Sequence, residues 1–229
     1  MVVASMLRQH LYHDYAVITL ENEVSIANAS MLCDQIQSFV DDYRYEHIEI
    51  QIPNNPGGLI SAMEMIGRQM SSIQDQGVTV ATFGLGVVAS AAAITLSRGT
   101  LGKRSVDEGT MLLYHLGRVQ SSNQVTAKVA KQLSQHLDSV DERVLRNLVS
   151  HIVPLTRKFE SDGTTSWKWP LELIDQENGL RVDVDQYSFD SQEGCQQHMF
   201  EVLQKMFEAD ALMTPQTAKS LGLIDQIRQ

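Results

Sequence analysis

Ser90 lies where an apolar, β-branched run gives way to an Ala-rich one (GVVASAA, 86–92). That is the junction of a buried strand and a helix, where the helix end offers unpaired N–H groups and a positive dipole. A nucleophilic serine there is well supported, and the Ala91 N–H is available to an oxyanion developing on a substrate carbonyl. Small neighbours at Ala89, Ala91 and Ala92 leave room for that substrate. A serine in this place also serves as an ordinary helix cap. The G-x-S-x-G elbow of α/β-hydrolases is absent. A second candidate is Asn54-Asn55-Pro56-Gly57-Gly58, whose paired glycines let backbone come close to a ligand and aim N–H groups at it. It is either a plain tight turn or a ligand loop, since α/β proteins bind ligands at the carboxyl ends of parallel strands. The third is His115, which directly follows the apolar run Met111–Tyr114. It is a polar strand terminus or, at the same sheet edge as Ser90 and within hydrogen-bond reach, a general base.

The elements that must position these residues alternate. A strand over 16–20 precedes a helical stripe of Ala29, Leu32, Cys33, Ile36 and Val40. Ile48, Ile50 and Ile52 alternate as the next strand, and Ile60, Met63, Gly67, Met70 and Ile73 make the next stripe. Residues 78–97 carry no charge for a length that spans a bilayer. Their β-branched start, the breaks at Gly84 and Gly86 and the Ala-rich end predict instead a strand, a turn and a buried helix. With a strand over 111–114, the alternation implies parallel pairing through right-handed crossovers and an α/β class.

From residue 123 to 152 the apolar positions Val125, Val129, Leu133, Leu137, Val140, Val144, Leu148 and Ile152 keep helical spacing until Pro154. The stripe is narrow and the helix long, which predicts packing against a partner helix or else along its own domain. Residues 153–190 lose the pattern, with Asp162-Gly163 as a turn. Trp167 and Trp169 there mark a binding surface or, the favoured reading, a hairpin closing its own small core. A helix over 191–208 follows, then Thr214-Pro215 as cap and first turn, Gly222 as terminator and a strand over 223–227.

In this order the segments resemble the proteolytic subunit of the Clp protease, a serine peptidase family of the ClpP/crotonase fold. NNPGG is similar to the family's NSPGG, GVVASAA to its GQAASMG with Ser90 as nucleophile, and MLLYH to its MIH strand. EADALMTPQTAKSLGLID (208–225) is similar to ERDRFLSAEEAKEYGLID, which assigns the triad acid to Asp210. The resemblance implies repeated β-α units around a parallel sheet in one domain over 1–229, with a handle helix over about 123–152 and an insertion over about 153–190. It implies that Ser90 attacks a peptide carbonyl, His115 moves the proton and Asp210 orients His115, while the Gly58 and Ala91 N–H groups hold the oxyanion. No metal or organic cofactor is implied. Peptides or unfolded proteins are the implied substrates, a heptameric ring or stacked rings the implied assembly, and an ATP-driven AAA+ unfoldase a possible partner. The chain departs from the family at Val87, Ala91 and Leu116-Gly117, and 95 residues separate His115 from Asp210, more than in typical members.

Composition narrows the alternatives. The chain has 229 residues, 43% hydrophobic and 20% charged, an ordinary globular balance. With 28 acidic against 18 basic residues its formal charge is −10, which disfavours nucleic acid and anionic membranes as partners. Two cysteines, Cys33 and Cys195, make no disulfide framework, so a reducing, cytoplasmic setting is expected. His10, His13, His136 and His151 lack companion ligands, and Cys195 with His198 supplies only two. Three rivals remain. One is a signal-peptide-peptidase-like Ser-Lys protease, for which all seven lysines follow Ser90 but none sits in a recognisable motif. Another is a catalytically silent ring subunit. The third, a crotonase-type acyl-CoA enzyme, lacks its acidic residues near Gly58 or Ser90.

Overall fold

The structure is a computed structural model, and it describes residues 8–11, 15–118, 126–159, 165–170, 173–176, 179–182 and 186–229. In chain order the elements are β1 (Arg8–Leu11), β2 (Ala16–Thr19), α1 (Ile26–Asp41), β3 (His47–Asn55), α2 (Ile60–Asp75), β4 (Thr79–Ala89) and α3 (Ala91–Ser97). There follow β5 (Arg104–Asp107), β6 (Met111–Tyr114), α4 (Ala127–Ile152), a 3-10 turn (Val153–Thr156), β7 (Arg157–Phe159) and β8 (Thr165–Pro170). The chain ends with β9 (Leu173–Gln176), β10 (Gly179–Val182), β11 (Gln186–Phe189), α5 (Gln192–Glu208), β12 (Ala211–Met213), α6 (Pro215–Ser220) and β13 (Gln226–Arg228). Residues 1–114, 170–185 and 212–229 form one compact unit, and residues 115–169 and 186–211 a second.

The first unit holds the sheet, in the order β1-β2-β3-β4-β5-β13, with β6 beside β4 and β12 beside β6. From β2 to β13 the neighbours are parallel, as are β4 and β6. This is the α/β class expected from the alternation. The alternating Ile48, Ile50 and Ile52 of β3 are fully buried, as are Leu32 and Ile36 of α1 and Ile66 and Met70 of α2. Each such side chain contributes about 1.5–3 kcal/mol on leaving water.

The expected turn at Gly84 and Gly86 is not there, because β4 continues through both to Ala89. Gly86 takes φ 72° and the Val87 N–H donates to Asn54 Oδ1 at 3.2 Å, so the strand bends against the Asn54 loop and continues. Among the described residues no helix is long and apolar enough to cross a membrane.

The final strand begins at Gln226, later than expected, because Leu223 and Ile224 are buried and Asp225 is used as an anchor. Asp225 grips the fully buried Arg104 guanidinium at 2.6 and 2.9 Å and accepts the Gly102 and Arg104 N–H groups at 2.8 and 3.0 Å. Burial works to raise the Asp225 pKa, but the bonds and charge of Arg104 outweigh it and hold the carboxyl below its ordinary value.

In the second unit α4 starts at Thr126, whose hydroxyl accepts the Val129 N–H at 3.4 Å; Val125 of the apolar stripe lies outside the described residues. The stripe divides in two. Val140, Val144, Leu145, Leu148, Val149 and Ile152 are buried, and α4 packs on α5, whose Met199, Leu203 and Phe207 are buried too. Val129 is 41% exposed, and Leu133 and Leu137 are only half-buried. In the segment after α4, β7 and β8 form an antiparallel pair joined by β11, and Trp169 is buried with its ring edge-on to His198 of α5. The Asp162-Gly163 turn lies outside the described residues.

Candidate active site

Ser90 stands between β4 and α3 with φ 56° and ψ −127°. A non-glycine residue in that region costs about 1–3 kcal/mol, so the surroundings must impose it. Two backbone bonds do so: the Ser90 N–H donates to Leu113 O at 2.7 Å, and its carbonyl accepts the Ile94 N–H at 3.1 Å. The Ser90 side chain makes no capping bond to the helix, which removes the helix-cap reading. Ala91 is the first residue of α3, so its N–H has no partner inside the helix.

The Asn54–Gly58 loop is built around this turn. Asn55 is buried, donates its amide to Leu20 O at 3.1 Å and accepts the Gly57 N–H at 3.0 Å. Gly57 lies at φ 93°, and a Cβ there would come 2.5 Å from Ser90 Cβ and 2.6 Å from Ala89 O. Only glycine fits so close to the serine. The Val24 N–H donates to Gly57 O at 2.6 Å and the Leu59 N–H to Val24 O at 2.8 Å, a bridge that leaves the Gly58 N–H outside its ladder. Ser90, Ala91 and the paired glycines are thus brought together. Below α3, the Tyr114 hydroxyl lies 2.8 Å from Ser97 Oγ and burial pushes its pKa up to about 12, so it stays a neutral tie between β6 and α3.

His115 and Asp210 belong to the second unit. His115 Nδ1 lies 2.6 Å from Leu116 O. A carbonyl only accepts, so Nδ1 is the donor in this bond, and Nε2 is the ring nitrogen left for another group. Leu116 and Gly117 are fixed in turn: the Leu116 N–H donates to Phe207 O at 3.2 Å and the Gly117 N–H to Asp141 Oδ1 at 2.9 Å. Asp210 follows α5 at φ 52° and its carboxylate is paired with Arg118. His115 and Asp210 therefore share a unit without being bonded to each other. Arg118 and Asp141 carried no signal in the sequence, because their partners lie 92 and 24 residues away.

The two cysteines are poorly placed to act as nucleophiles. The Cys33 thiol is pushed up to about 11, by burial first and then by the charge of Asp34. Burial raises Cys195 as well, and its thiol donates to Thr156 Oγ1 at 3.6 Å. Among the described residues no group of three or more His, Cys, Asp or Glu side chains is arranged to hold a metal ion.

The sequence profile of the Clp protease family matches residues 4–165, a stretch that contains Ser90 and His115 and stops short of Asp210. Over 129 residues the chain is 33% identical to ATP-dependent Clp protease proteolytic subunit 1 of Tropheryma whipplei (strain Twist), covering 54% of this chain and 61% of that relative. The same figures hold for proteolytic subunit 2 of strain TW08/27. Over 144 residues it is 28% identical to proteolytic subunit 4 of Rhodococcus jostii (strain RHA1), covering 57% of this chain and 72% of the relative. The chain thus spans 61% of the length of the first two relatives it matches.

Proposed function

This chain belongs to the Clp protease family, and on that premise we propose that it is a serine endopeptidase acting on peptides or unfolded proteins. Ser90 Oγ attacks the scissile carbonyl carbon while His115 Nε2 takes the hydroxyl proton; the C–N bond then breaks as that proton passes to the leaving amine. Water, deprotonated by the same imidazole, releases the acyl group and restores Ser90. The Gly58 and Ala91 N–H groups hold the oxyanion, and Asp210 orients His115 once Arg118 lets it go and His115 Nδ1 turns from Leu116 O. The observation that carries this reading is the strained, uncapped Ser90 pressed against Gly57 at the start of α3.

The relatives are named as subunits of ATP-dependent proteases. For this chain we extend that to a homo-oligomeric ring or stacked rings enclosing the sites, with an ATP-driven AAA+ unfoldase as the partner; the 229 residues themselves contain no GxxxxGK[ST] run. The half-buried Leu133 and Leu137 and exposed Val129 supply apolar surface for neighbouring copies. A silent ring subunit is the second reading. It is favoured by the pairing of Asp210 with Arg118 and not with His115. One experiment separates the two: assay cleavage of a fluorogenic peptide by the wild type and Ser90→Ala, and weigh both by native mass spectrometry. The proposal expects an oligomer in each and cleavage only in the wild type. Equal turnover ends the assignment of Ser90, and no turnover in either on a panel of peptides leaves the silent reading standing.

A further inference from the structure

Gly117 is the residue through which α4 reaches the histidine segment. Its N–H donates to Asp141 Oδ1 at 2.9 Å, a bond between residues 24 apart, while the preceding Leu116 N–H is taken by Phe207 O at the end of α5. His115 sits at the head of this doubly pinned segment, and its Nδ1 is oriented by Leu116 O, the carbonyl of the pinned peptide. We propose that Asp141 is a positioning residue for His115, holding the 115–118 segment in place through the Gly117 N–H. The proposal rests on the reading of His115 as the general base.

Three observations within the second unit converge on it. Asp141 is half-buried on the face of α4 that also carries the buried Val140, Val144 and Leu145, so its backbone is fixed by core packing. It borders a cavity of about 380 Å³ with Leu116, Asp138, Glu142, Phe200 and Glu208 around it. Its negative charge interacts favourably with His115, and Asp210, the acid expected to do so, is held by Arg118. Burial raises the Asp141 pKa, the Gly117 bond opposes this, and Asp138 adds to the rise. The titratable and charged groups around the histidine segment are therefore Asp138, Asp141 and Glu142 from α4, Glu208 from α5, Asp210 after α5 and Arg118 on the segment itself.

The two contributions of Asp141, a hydrogen-bond acceptor and a charge, come apart in two variants. Asp141→Asn keeps an oxygen for the Gly117 N–H and loses the charge, whereas Asp141→Ala loses both. The readout is the rate at which a fluorophosphonate modifies Ser90 in the full chain, followed from pH 5 to pH 9, where neutral His115 is required for attack. Asp141→Ala should lower the high-pH plateau by about tenfold to a hundredfold, as a misplaced base does. Asp141→Asn should keep the plateau within about threefold, because its amide oxygen still accepts the Gly117 N–H. A wild-type plateau in Asp141→Ala would overturn the proposal, as would an equal loss in Asp141→Asn or in Asp138→Ala. If Asp141→Ala does not fold, Asp141→Glu takes its place: it keeps the charge but displaces the oxygen from the Gly117 N–H, and a wild-type plateau there would overturn the proposal. His115→Ala is the separate control: labelling at the wild-type rate there would overturn the general-base reading itself.

Discussion

Ser90 and Asp210 both sit at positive φ, 56° and 52°, yet what surrounds them is opposite in kind. Ser90 opens a helix whose seven residues are all buried, its N–H is tied to Leu113 O, and Gly57 is packed against it too closely for any side chain. Asp210 is 50% exposed and is held by Arg118, itself 62% exposed. An ion pair so open to water is worth about 0–1 kcal/mol. The turn at Ser90 is therefore fixed by packing that many residues share, and the Asp210 carboxylate is held by one exchangeable contact. Turning Asp210 to His115 must break one exposed ion pair and the His115 Nδ1 bond to Leu116 O, while displacing Ser90 must break a core.

The sharpest way to break this contrast is at the acid. Asp210→Asn should keep the fold and lower kcat on a fluorogenic peptide by roughly 10⁴-fold, because a neutral partner no longer stabilises the imidazolium. Asp190→Asn, at a carboxylate that ends the 153–190 insertion and lies outside the segment similar to the family, should be silent in the same assay. If Asp210→Asn is also silent, Leu116 O suffices to orient His115 and the acid belongs to the surface.

The next effect falls on stability. Asp225→Ala leaves Arg104 charged and uncompensated in the core of the first unit, at a cost of about 3–5 kcal/mol in urea unfolding. The folded pKa of Asp225 lies below its unfolded value, near 3.9. Its contribution is therefore complete above about pH 4 and lost as pH falls further. Asp225→Asn should accordingly be destabilised at neutral pH but lose less additional stability than the wild type on acidification from pH 5 to pH 3.

Smaller again is the effect expected at the loop. Gly57→Ala must push the backbone at Ala89 or the Ser90 Cβ aside, and a displacement near 1 Å at the nucleophile costs about a hundredfold in kcat. An unchanged kcat would mean that the nucleophile turn yields as easily as the acid does.

How much of this was legible beforehand follows from the range of the contacts. The β-α alternation, the α/β class and the cap at Thr214 are local in sequence, and the structure has them. The run of β4 through Gly84 and Gly86 was not legible, because what keeps it a strand is its pairing with β3, β5 and β6, each twenty or more residues away. The same holds within the site. Ser90, Gly57 and Gly58 announced themselves by residue type at a strand end, whereas Arg118 and Asp141 are ordinary charged residues until the chain returns to meet them. The apolar stripe of α4 was legible as a stripe, but its division into a buried half at Val140–Ile152 and a more open half at Val129–Leu137 needed α5 in place.

That division gives the mildest perturbation. Leu133→Glu with Leu137→Glu changes only half-buried positions, so it should leave the unfolding midpoint within about 1 kcal/mol while shifting the particle to a smaller mass in sedimentation. Val144→Glu, at a position 5% exposed, should unfold the second unit instead. If the double variant keeps the wild-type mass, the open half of α4 serves no neighbouring copy.

The central claim is that Ser90 is a nucleophile activated by the site around it. Treating the native protein with a fluorophosphonate, then mapping the adduct by mass spectrometry as peptide cleavage is followed, tests it most directly. The account predicts one phosphonyl group per chain, on Ser90 alone, with cleavage falling in proportion to its occupancy. Cleavage that persists in fully treated protein, or an adduct on another residue that tracks the loss of activity, would contradict it.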